Sequence, residues 1–194
     1  GLGRLMFTVV QRWLLVFLYL MPFQIWAVDQ DYDRPAVELV TYNEIVINRP
    51  ASEIWPHIIN PEAWKQGAKL ELVSGEQGKL GAIYRAFLPA KPGETLFYSE
   101  DVELVPNQAR SIKIYQPAQG ALTGYSSWRL RAEGESTRVS YHVLSEFLLP
   151  AEAAAMPAAA LKAMQEKSRK DNHQRFQREL EALKRLIENE SNKR

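Results

Sequence analysis

The sequence predicts an α+β domain in which a curved antiparallel sheet of about seven strands wraps a long C-terminal helix. Three observations carry this. Seven segments rich in β-branched and aromatic residues recur between short turns, which fits an antiparallel meander. The last part of the chain, from Ala158 onward, has no Gly or Pro and is dominated by Ala, Leu, Lys, Glu, Arg and Gln. Between the first two strands lies a short helical pattern closed by Asn60-Pro61.

The elements follow in order. Val37–Asn48 reads as the first strand, stopped by Arg49-Pro50. Ile54, Trp55, Ile58 and Ile59 then share a helical face started by Ser52 or Pro50, and Glu62–Gln66 predicts a second short helix presenting Trp64. Strands are predicted at Lys69–Ser74, Leu80–Leu88, Thr95–Val105, Ser111–Tyr115, Thr123–Ala132 and Thr137–Phe147, with Gly, Pro and Asn turns between them. In the final helix, residues 161, 164, 168, 172, 176, 180, 183 and 187 step by three or four and form a stripe, apolar except at Ser168 and Asn172. The meander is expected to curl around this helix, with the two short helices closing one end.

Composition narrows the function. The chain has 194 residues, no Cys and a formal net charge of +1. A disulfide scaffold, a thiolate nucleophile and a Cys-ligated metal are excluded, and near-neutral charge argues against a nucleic-acid binder. The three histidines, His57, His142 and His173, have no metal-ligand spacing, and no metal or other cofactor is expected. No Gly-x-Ser-x-Gly, P-loop or dinucleotide glycine signature is present.

Residues 1–28 read as separate from the fold. Arg4 and Arg12 are the only charges before Asp29, and Trp13–Phe23 is an unbroken apolar run. This is the pattern of a secretory signal ending at Ala27; the alternative is an uncleaved membrane anchor, although Trp13–Val28 falls short of the ~20 residues that a spanning helix needs. Either reading exports the body, to a periplasm or the exterior. Residues 29–36 read as a linker and 37–190 as the domain.

The first strand with Asn48-Arg49-Pro50, then Glu53-Ile54-Trp55, Asn60-Pro61, Trp64, the loop Gly75-x-x-Gly78-x-x-Gly81, the meander and the final helix together resemble the START-like (SRPBCC) superfamily. Its members include Bet v 1-like, lipid-transport and polyketide cyclase/dehydrase-type proteins. The resemblance covers about residues 37–188. It implies the helix-grip fold and a hydrophobic cavity between sheet and helix, and it supplies no universal catalytic motif.

Alternation nominates the residues that would line such a cavity. Trp128 should face inward, opposite Arg129 and Arg131, and Tyr84, Tyr98 and Tyr141 fall on expected inner faces. With Trp55, Trp64 and Phe176 they form an aromatic lining suited to a flat or lipid-like ligand. Glu100 shares the face of Tyr98, Val102 and Leu104, so an inward face would aim a carboxylate into apolar surroundings, as a ligand anchor or a base. Glu100, Tyr98 and Tyr141 are the catalytic candidates. His142 is expected to point outward.

The expected function is exported binding or transport of a hydrophobic small molecule or lipid, more readily non-catalytic than enzymatic. Two alternatives stand beside it: a cyclase/dehydratase-like lyase using a cavity carboxylate and tyrosine, and a ligand-free protein-interaction module. The basic excess of the final helix is a second possible point of membrane contact, besides the N-terminal segment.

Overall fold

The computed structural model describes residues 35–65, 67–115, 122–149 and 151–190. The predicted signal or anchor and most of the predicted linker lie outside the described residues. The chain runs β1 (Ala36–Ile47), α1 (Ala51–Ile59), a 3-10 turn (Pro61–Ala63), β2 (Lys69–Ser74), β3 (Ile83–Phe87), β4 (Phe97–Val105), β5 (Ala109–Tyr115), β6 (Leu122–Glu133), β7 (Ser136–Leu148), a second 3-10 turn (Ala151–Ala155) and α2 (Ala158–Glu190). The seven strands form one antiparallel sheet in the order β1-β7-β6-β5-β4-β3-β2. This is the α+β helix-grip architecture expected from the sequence, although β3 is shorter than the predicted Leu80–Leu88 and the turn at Ala151–Ala155 was not predicted. The second short helix is a single 3-10 turn, which still presents Trp64 to the core.

Local chemistry explains the elements. Along β1, Val37, Leu39, Thr41, Asn43 and Ile47 are buried, while Glu38, Val40, Tyr42 and Glu44 are exposed. Pro50 caps α1 with an extended backbone, where its missing N–H costs nothing, and Ile54 and Ile58 turn inward one helical turn apart. β6 and β7 are joined by the two-residue turn Gly134-Glu135, and Gly134 supplies the positive φ of 63° that such a hairpin needs.

Helix α2 lies along β1, which is an edge of the sheet. Its side chains bond to the carbonyls that β1 leaves unpaired on that edge: Gln165 Nε2 donates to Glu38 O at 2.7 Å, Gln177 Nε2 to Glu44 O at 3.3 Å and Lys184 Nζ to Val46 O at 2.7 Å. Asn43 Nδ2 returns bonds to His173 O and Gln177 Oε1. An open edge that could template aggregation is thereby covered. The predicted stripe is buried from Ser168 to Ile187, with Leu161 and Met164 packing on a second cluster around Val37, Leu39 and Leu149. The main core joins Phe176, Leu180, Leu183 and Ile187 to Ile54, Ile58, Trp64, Trp128, Val139 and Tyr141.

Candidate functional site

Two cross-strand rows build the inner face of the sheet. Arg110, Trp128, Tyr141 and Asn43 stand side by side on β5, β6, β7 and β1. The next row holds Asp101, Ile112, Ser126, Val143 and Thr41. Beyond it, Ser99, Ile114 and Gly124 continue the floor. The first row carries large side chains and meets α2 in packed contact: Trp128 stacks on Tyr141 at 4.7 Å and 10°, and Phe176 meets Tyr141 edge-on at 5.3 Å. The later rows carry Ser, Gly and Ile. Because α2 hugs the β1 edge, Ile112 and Ile114 stay only half-buried although they face inward. The inner face thus has an aromatic end packed against α2 and, beyond it, rows with small and aliphatic groups where Ile112 and Ile114 are half-buried.

Lys65, directly after Trp64, enters the aromatic end. Its Nζ lies 4.9 Å from the Tyr141 ring centre, 5.2 Å from Trp128 and 6.0 Å from Trp64. It donates to Tyr141 Oη at 2.9 Å and lies 4.0 Å from Glu179 Oε2 on α2. Tyr141 in turn donates to Ser126 Oγ at 3.5 Å. Trp64 is fixed by its indole N–H, which donates to His57 O at 2.8 Å.

An ion pair braces the far side of this wall. Arg110 Nε donates to Asp101 Oδ1 at 2.7 Å, and both side chains are almost fully buried, at 5 % and 1 % exposure. The same guanidinium donates to Ile58 O at 2.6 Å and Ile59 O at 3.2 Å, the carbonyl end of α1. It thus ties α1 to the sheet and satisfies orphan helix carbonyls.

The predicted lining residues divide. Trp64, Tyr84, Trp128, Tyr141 and Phe176 are buried on the inner side, and Trp55 packs against the main core while partly exposed. Tyr84 sits beneath the glycine loop, its hydroxyl accepting from Gly78 N at 3.3 Å. Tyr98 and Glu100 are corrections. Ser99 and Asp101 face inward, so their neighbours face out: Tyr98 stacks on Tyr115 at 5.8 Å on the outer face, and Glu100 stands opposite Lys113. Two facts defeat the sequence pattern there. The inner face of β4 is polar because it carries half of a buried ion pair, and a bulge at Val102 puts Leu104, opposite the inward Arg110, out of phase with Glu100. The cyclase-like arrangement that used Glu100 and Tyr98 therefore loses both groups from the interior; Tyr141 alone of the three candidates lies inside. His142 is exposed and packs on Tyr42, as its alternation implies.

Lys65, Asp101, Arg110 and Glu179 were not singled out from the sequence. The visible trace of Lys65 is a cation immediately after a Trp at the closed end of the fold. Asp101 and Arg110 leave no local trace, because their pairing needs β4 and β5 in register. Among the described residues, no three His, Cys, Asp or Glu side chains gather as a metal site would require, and no helix is long and apolar enough to cross a membrane.

No protein-family model and no curated protein matches the sequence. Solved structures do match the fold. A protein of unknown function from Staphylococcus aureus superposes with a TM-score of 0.64 at 12 % identity, covering 81 % of this chain and 98 % of its own. A Thermus thermophilus protein gives 0.53 at 18 % identity, over 81 % and 99 %. A truncated norcoclaurine synthase from Thalictrum flavum gives 0.51 at 14 % identity, over 78 % and 94 %. At these identities the likeness is one of fold. Sheet order, the α1 closure and the gripping α2 give this chain the helix-grip fold of the START-like, Bet v 1-like superfamily.

Proposed function

We propose that the protein binds an apolar small molecule or lipid in a trough between α2 and the inner face of β3–β6, without chemistry. The observation that carries this is the half-burial of Ile112 and Ile114 on a face that the fold otherwise closes. α2 rests on the β1 edge, so the middle of the sheet keeps aliphatic surface that a ligand would cover. Burying it would contribute roughly 25 cal/mol per Å². Stacked rings at the closed end suit a planar or branched apolar body, and Tyr141 and Ser126 offer hydroxyls to orient it.

The test is uptake of N-phenyl-1-naphthylamine, a neutral apolar fluorophore. Saturable binding is the expected result, competed by the organic extract of protein purified gently from its host and followed by native mass spectrometry. A folded sample that takes up no probe and shows no apolar adduct refutes the reading. Export is part of the proposal and rests on the basic and apolar pattern of residues 1–28. N-terminal sequencing of protein from the host's exported fraction tests it, with a start at Val28 expected for a cleaved signal.

A further inference from the structure

Resting on that reading, we propose that the ligand carries an acidic oxygen group, a carboxylate, sulfonate or phenolate, received at the aromatic end by Lys65 Nζ and Trp128 Nε1. The donor inventory leads there. An ammonium has three N–H donors, and Lys65 spends one on Tyr141 Oη. Its other polar neighbour is Glu179 Oε2 at 4.0 Å, an ion pair too long for a hydrogen bond. Trp128 Nε1 is buried, can only donate, and has no hydrogen-bond partner among the described residues. Buried donors are normally satisfied, and an unpaired one on the ring that the Lys65 ammonium overlies at 5.2 Å calls for an acceptor.

At this end Lys65 and Arg110 stand against Glu179 and Asp101. Arg110 is spent on Asp101 and the α1 carbonyls. Arg175 lies one turn before Glu179 on α2, with its guanidinium over the Phe176 ring and its Nε buried without a hydrogen-bond partner among the described residues. The Lys65 side chain is about a quarter exposed, at 27 %. Glu179 is the built-in competitor. An entering anion takes the Lys65 ammonium at hydrogen-bond distance, where Glu179 holds it only at 4.0 Å.

Two fluorophores on one aromatic framework test this: N-phenyl-1-naphthylamine, which is neutral, and 1-anilinonaphthalene-8-sulfonate, which adds the anion. The full-length protein is expected to bind the sulfonate about tenfold more tightly, the weight of one charged hydrogen bond in a half-desolvated site. Lys65→Gln should remove that preference, measured as the ratio of the two affinities, Lys65→Arg should keep it, and Glu179→Gln should strengthen it. Equal affinity for the two probes in the native protein overturns this inference and leaves the apolar-binding reading intact. A sulfonate affinity that Lys65→Gln does not lower also overturns it, since it places the anion elsewhere. Failure of both probes to bind overturns both readings. Circular dichroism of each variant identifies a misfolded sample, and Lys65→Arg then decides the question on a folded one.

Discussion

Replacing Arg110 with Met would strip the brace between sheet and α1. The Asp101 carboxylate, 1 % exposed, would lose its cation, and the Ile58 and Ile59 carbonyls would lose their donor. Removing one partner of a buried pair costs about 3–5 kcal/mol, because the remaining charge stays desolvated. The carbonyls add little where water can reach the end of α1, so a total of about 4 kcal/mol is expected. That is a large part of the 5–15 kcal/mol that typically holds a domain together. At about 2–4 °C per kcal/mol for a chain of this size, the melting temperature should fall by about 8–16 °C. Urea titration followed by tryptophan fluorescence measures the free-energy loss and a thermal melt the temperature shift, since Trp128 reports on this wall. The companion variant, Asp101→Leu with Arg110→Met, removes both charges and should recover most of the loss. An Arg110→Met loss under about 1 kcal/mol, or a double variant weaker than the single one, refutes the account of the pair as buried and mutually dependent.

Three further outcomes follow from the geometry. A Cβ on Gly124 would sit 2.3 Å from Leu144 O, a backbone atom of β7, so Gly124→Ala should destabilise by about 1–3 kcal/mol; an unchanged melting temperature would show that β6 and β7 can separate there without cost. The Arg129 guanidinium, and after it the Ser111 hydroxyl, hold the Glu103 carboxyl below the usual carboxylate range. The stabilisation from this group is therefore complete above the unfolded glutamate value of about 4.3 and is lost as pH falls through the lower folded value. It is small and salt-sensitive, because both partners are well exposed. NMR titration of the Glu103 carboxyl carbon checks this, and a midpoint at or above the ordinary glutamate value contradicts it. Glu100→Gln, on the outer face opposite Lys113, should change apolar-probe affinity by no more than about twofold; a large loss would return that carboxylate to the interior.

What could be read in the sequence depended on whether the signal was local. β2 lies at the predicted Lys69–Ser74, and the stripe on α2 is buried where its spacing put it, polar middle included. Periodicity of this kind is written within one element. Trp128 and Tyr141 were placed inward correctly because β6 and β7 are long and unbulged through that region. β4 defeated the same rule. Its inner face carries Ser99 and Asp101, whose burial is made tolerable by Arg110 on another strand, and no pattern within β4 contains that partner. Lys65 was missed for a related reason: a surface lysine and one seated among three rings have the same sequence neighbours, and what separates them is Tyr141, far along the chain. The burial of Trp64, Tyr84, Trp128, Tyr141 and Phe176 was thus legible within single elements, whereas the outward turn of Tyr98 and the charged groups, which exist only as pairs, were not.

The placement of β1 has a consequence for how the molecule is made. Its strand partner is β7, with Ala36 opposite Leu148, and its open edge is covered by Gln165, Gln177 and Lys184 of α2. During synthesis, the first strand therefore waits for nearly the whole chain before it can pair. Until then, Val37, Leu39, Ile45 and Ile47 have no native neighbours from β7 or α2. Closure of such distant contacts is slow and comes late. A growing chain of this design stays open until its last helix is available. The same delay makes C-terminal truncation the most damaging cut, because it removes the element that the first strand has been waiting for.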